Sequence, residues 1–98
     1  MSRAKKIILY DESGYVGNRD TVLRPLFDDR IELFCTVGKD AEVWADCMSW
    51  ICTMADVDED IDHFVAISWH PTETLNEVIE FARMISINGE DSIEVIRM

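Results

Sequence analysis

The chain predicts an α/β fold: a small three-layer sandwich with helices on both faces of a four-stranded, mainly parallel sheet. Three observations carry that expectation. Four short apolar runs with β-branched or aromatic content alternate with three stretches of helical periodicity. Parallel strands joined by right-handed helical crossovers satisfy such a βαβαβαβ order most simply. The 98 residues are 48% hydrophobic and 30% charged with only four Gly and two Pro, a globular balance long enough for one core. No repeat or low-complexity tract interrupts them, so residues 1–98 read as a single domain.

The first strand is "IILY" (Ile7 to Tyr10), followed by Asp11 and a Gly-containing loop. A helix comes next with Val22, Leu23, Leu26 and Phe27 on one side, and Pro25 inside the pattern makes it short or kinked. "IELFCTV" (Ile31 to Val37) alternates, with Ile31, Leu33, Cys35 and Val37 on one face, and stops at Gly38 as a half-exposed strand. Asp40 is placed to N-cap the second helix, where Trp44, Cys47, Met48, Ile51, Met54 and Ala55 recur at helical spacing. Glu42, Asp46, Ser49 and Thr53 form its narrow polar stripe, with Val43 and Trp50 at the margins.

"FVAISW" (Phe64 to Trp69) is apolar on both faces, as a central strand should be. In "HPTETLNEVIEFARMI", Thr74 and Glu77 have capping-box spacing ahead of an inward face of Leu75, Val78, Ile79, Ala82 and Ile85. A loop with Asn88 and Gly89 leads to "SIEVIR", an alternating last strand whose direction the pattern leaves open. Fully apolar first and third strands belong in the middle and alternating ones at the edges, so the expected order is 2-1-3-4, flavodoxin- or Rossmann-like.

Charge is distributed very unevenly. The net charge is −11, yet residues 1–39 hold seven Lys or Arg against six acids, whereas residues 40–98 hold two against fourteen. From Asp40 to Ala82 there is no Lys or Arg at all. Phosphate binding needs cations, so direct nucleic-acid contact is excluded and a basic protein partner fits instead. The start, "MSRAKKIILYDE", is too short in apolar residues for a secretory leader or a membrane span, which points to a cytoplasmic chain. Cys35, Cys47 and Cys52 lack framework or zinc spacing and read as reduced thiols.

"DVDEDIDH" (residues 56–63) places five carboxylates in eight positions. As a calcium loop it fails, because the turn that needs Gly falls on Ile61 and the bidentate Glu on Ile67. It also connects a helix to the following strand, at the sheet edge opposite the usual ligand crevice. That leaves a solvated connection or a docking surface. The crevice itself would hold Asp11 and Glu12 after the first strand and His70 after the third; "HPTET" reads as a turn into the capped helix, with His70 a structural turn residue, the other reading being a general base that Asp11 orients. An acidic pair there is similar to a phosphoacceptor receiver domain, which binds Mg²⁺, but the Asp to be phosphorylated is missing: the third strand ends in Ser68, Trp69 and His70. No assembled catalytic motif is present and no cofactor is expected.

The acid-rich chain from Asp40 to Ala82 with its "DVDEDID" stretch resembles, in general character, the small acidic immunity proteins that bacteria make against their own toxins, including those of contact-dependent growth inhibition. The resemblance implies a catalytically inert, cytoplasmic inhibitor that binds a cationic toxin domain, often a nuclease. The contacts expected for it are Glu42, Asp46, Asp56, Asp58, Glu59, Asp60 and Asp62, with Trp50 and Trp69 as anchors if the core does not take them. A receiver-like domain binding Mg²⁺ or a small ligand near Asp11, Glu12 and His70 is the alternative. The chain is expected to be a monomer or weak dimer, and any self-association is assigned to the edge of "IELFCTV".

Overall fold

In the computed structural model, which describes residues 4–12, 19–61, 63–85 and 92–97, all seven expected elements form. They are β1 (Lys6–Asp11), α1 (Arg19–Asp28), β2 (Leu33–Gly38), α2 (Ala41–Asp58), β3 (Ala66–His70), α3 (Leu75–Met84) and β4 (Ile93–Arg97). The loop expected at Asn88 and Gly89, the Gly-containing loop after Asp11 and the acid Asp62 lie outside the described residues. The four strands make one sheet, and every pairing is parallel, β4 included.

The strand order is 3-2-1-4, not 2-1-3-4. Strand β2 is central because Leu33, Phe34, Cys35, Thr36 and Val37 are all buried, so both of its faces are covered. Its polar members do not require an edge: Glu32 precedes the strand, and the Thr36 hydroxyl is satisfied by donating to the Ala41 carbonyl at 2.6 Å. Being paired on both sides, β2 also has no free edge for self-association. Strand β3, apolar as it is, lies at the edge with Trp69 51% exposed.

This order explains the layers. The chain steps outward from β1 to β2 to β3 and then returns across the sheet to β4, so right-handed crossovers place α1 and α2 on one face and α3 on the other. Alternation along the strands serves both layers. Ile7, Leu9 and Phe34 meet Leu23, Phe27, Trp44, Met48 and Ile51 under the two helices. Ile8, Leu33, Cys35 and Val37 meet Val78 and Ala82 under α3. Each large side chain so buried contributes about 1.5–3 kcal/mol.

Helix ends follow local chemistry. Thr74 caps Glu77 N–H at 3.2 Å while the Glu77 carboxylate accepts from Thr74 N–H at 2.9 Å, a complete capping box. Asp40 stands at the N-cap of α2 but makes no capping bond; its carboxylate lies 3.4 Å from Arg19 instead. Lys6, 1% exposed, donates to the Ala82 carbonyl at 2.9 Å, which also accepts Ile85 N–H at 3.2 Å, at the negative end of the α3 dipole. Helix α1 spans ten residues and runs through Pro25 to Asp28.

Candidate functional site

Helix α2 sets the acidic side of the molecule. Eighteen residues give it a length of about 27 Å. With Trp44, Met48, Ile51 and Ala55 turned to the core, the 100° step of a helix directs Glu42, Asp46, Thr53 and Val57 outward. All four are exposed. The same step turns Ala45, Ser49, Cys52 and Asp56 toward β3, and turns Val43 and Trp50 toward the α1 side. Core packing claims neither expected anchor: Trp50 is 62% and Trp69 51% exposed, on opposite flanks of the outward stripe.

The acidic stretch divides into residues with different duties. Asp56 and Asp58 are exposed at the end of α2, whose last turn holds no basic residue, so their charge adds to the negative end of the helix dipole. Glu59 is held by Arg24 through two bonds of 2.7 Å. Those bonds push the Glu59 carboxyl below its ordinary value, and together with Asp28 they raise Arg24. Asp60 adopts a left-handed conformation, φ 55°, which a short acid tolerates, and Ile61 N–H returns to the Ala55 carbonyl. Glu59 therefore ties the helix to α1 and the Asp60 backbone makes the turn beyond it, which leaves Glu42, Asp46, Asp56, Asp58 and the Asp60 carboxylate as the exposed acids of the expected contact set outside that ion pair, among the described residues.

Between α2 and β3 runs a cleft of about 350 Å³, with Ser49, Cys52 and Thr53 on the helix side and Phe64, Val65 and Ile67 on the strand side. Asp56 lines its neighbouring end. Phe64 is 81% exposed. His63 closes the floor by donating to the Ile31 carbonyl at 2.7 Å and packing edgewise on Phe27. Burial pushes all three free thiols, Cys35, Cys47 and Cys52, above their ordinary value, which disfavours the reactive thiolate.

The expected crevice at the carboxyl ends of the strands is not assembled from Asp11, Glu12 and His70. Asp11, 1% exposed, accepts the Trp44 indole N–H at 2.8 Å on the α1/α2 face. Glu12 is exposed and lies 3.7 Å from Arg97. His70 sits on the α3 face, against Phe81, with the whole of β2 between its strand and β1. Glu73, not Asp11, orients it: His70 Nδ1 is 2.8 Å from Glu73 Oε1 and Nε2 is 2.9 Å from Ser68 Oγ. A carboxylate at Nδ1 favours the tautomer that leaves Nε2 an acceptor, and the Ser68 hydroxyl has two acceptors in reach, that nitrogen and Cys35 Sγ at 3.3 Å. Sequence reasoning missed this relay, although the two-residue spacing of Ser68 and His70 on a strand was a signal that they share a face. Among the described residues no group of three or more His, Cys, Asp or Glu is placed to hold a metal ion. Nor is any described helix long and apolar enough to cross a membrane.

The chain belongs to the family described as Domain of unknown function (DUF7684), whose model matches residues 3–97. No curated protein and no solved structure gives a significant match.

Proposed function

We propose that this protein is a non-catalytic binding protein that takes a cationic protein partner on the side formed by α2 and β3, and that it acts in the cytoplasm as an immunity-type inhibitor of a cationic toxin domain such as a nuclease. One observation carries the reading: exposed carboxylates at both ends of α2 flank exposed aromatic side chains, in a segment without a single Lys or Arg from Asp40 to Ala82. A nuclease holds phosphate with Lys and Arg, and a rigid row of carboxylates occupies such groups. It also speeds encounter by roughly 10- to 1000-fold through steering. Affinity comes from buried anchors beside the charge, a role that Trp50, Phe64 and Trp69 suit.

The test is capture of the partner on the tagged full chain, followed by assay of the captured protein for nuclease activity with and without a stoichiometric amount of the chain. Loss of activity on adding the chain supports the inhibitor reading. A captured basic protein whose activity is unaffected would reduce the reading to binding alone.

A further inference from the structure

The edge of β3 carries no guard within the strand itself. Sheet edges are normally blunted by lysine, proline, bulges or cover, because their unpaired backbone groups recruit other strands. Strand β3 pairs only with β2 and contains no Pro, Lys or Arg. Ala66 N–H points to β2, donating to the Glu32 carbonyl at 2.9 Å. By alternation the N–H and C=O of Ile67 and Trp69 point the other way, to the side where no described strand pairs. Exposed Phe64 and Trp69 bracket those groups, and the 350 Å³ cleft opens beside them on the α2 face.

We infer that this edge accepts a fifth strand, an extended Lys- or Arg-bearing segment of the partner protein. Added strands gain affinity from main-chain hydrogen bonds and selectivity from pockets that take alternate side chains. Here Ile67 and Trp69 supply the main-chain groups, and the cleft between α2 and β3 takes an apolar side chain directed to the α2 face. Charge selects the occupant. Because α2 runs back across the sheet, its closing acids Asp56 and Asp58 lie toward the amino end of β3 and its opening acids Glu42 and Asp46 toward the carboxyl end, all four exposed. A second copy of a chain of net charge −11 meets like charge at both ends, whereas a basic segment is neutralised there. The same repulsion guards the edge against self-pairing. The inference rests on the cationic-partner reading and names how the partner binds.

The experiment titrates the full chain with three octapeptides at about 0.05 M salt, following backbone amide signals: a Val run with a pair of Lys at each end, so that one Lys at either end faces α2 (Lys–Val), the same peptide N-methylated at alternate residues, and its Glu counterpart (Glu–Val). N-methylation removes peptide donors and leaves the charge. The expected result is saturable binding of Lys–Val with slowed exchange of the Ile67 and Trp69 amides, at least tenfold weaker binding of the N-methylated peptide, and none of Glu–Val. Equal binding of the two cationic peptides would overturn strand addition and leave the cationic-partner reading standing. Binding of Glu–Val as tight as Lys–Val would overturn the charge selection, and no binding by either cationic peptide would overturn both. Dimerisation of the free chain through β3, seen by sedimentation and abolished by Ile67→Lys, would make a second copy the occupant and overturn the inference.

Discussion

Arg24 grips Glu59 with two parallel bonds of 2.7 Å and holds Asp28 at 2.9 Å with its Nε, so one of the five acids of "DVDEDIDH" is neutralised within the molecule. The fork joins the end of α2 to α1 and separates a structural carboxylate from the outward ones. Charge removal at Glu59 and at Asp58 should therefore have opposite effects.

Glu59→Gln should lower the melting temperature near neutral pH. The Glu59 carboxyl is held below its ordinary value by Arg24, so its stabilisation is present above the ordinary carboxylate range and lost as pH falls through the lowered one. The difference between Glu59→Gln and wild type should accordingly shrink in acid. Thermal melts from pH 7 down to pH 3 check this, and a difference that grows toward low pH would contradict it.

Asp58→Asn should instead stabilise the free protein by about 0.3–1 kcal/mol at low salt, since it relieves charge at the negative end of α2. The gain should fade at about 1 M salt, where the Debye length is about 3 Å. Denaturant midpoints at both salt concentrations measure it.

Trp44→Phe keeps the ring but removes the donor to the buried Asp11 carboxylate. Hydrogen bonds to charged groups are worth about 1.5–3 kcal/mol, and a loss of that order is expected in urea melts. A neutral outcome would show that the Asp11 carboxylate does not depend on the indole.

Gly38 has φ +103°, and a Cβ there would lie 2.4 Å from the Asp11 carbonyl oxygen at the end of β1. Gly38→Ala should cost well over about 1 kcal/mol, because both the conformation and the space are wrong for alanine. Thr74→Ala, which removes half of the capping box, should cost about 1 kcal/mol, with Thr74→Gly closer to wild type. Chemical denaturation ranks the three.

Local signals were legible and long-range ones were not. The seven elements, the Thr74 and Glu77 box and the outward stripe of α2 follow from periodicity and capping within a few residues of each position. Strand order failed because composition stood in for burial. Thr36 made β2 look half-exposed although its hydroxyl is satisfied by Ala41, and the apolar β3 looked central although it forms an edge. The partners of Asp11 and Glu59 lie 33 and 35 residues away, so no local spacing announced that one acid is buried under Trp44 and another is held by Arg24. With the wrong order, His70 seemed near Asp11; in 3-2-1-4 the two stand two strands apart, about 10 Å, on opposite faces.

The most direct measurement compares the tagged chain with a Glu42→Gln, Asp46→Asn, Asp56→Asn, Asp58→Asn variant, which leaves Glu59 and the Asp60 turn intact. Both are exposed to extract from cells that produce the partner, washed at about 0.15 M salt and eluted at about 1 M. The account requires one basic protein in stoichiometric amount on the wild type, released by salt, and little on the equally folded variant. Equal capture by both proteins, or capture of nothing basic, would contradict it.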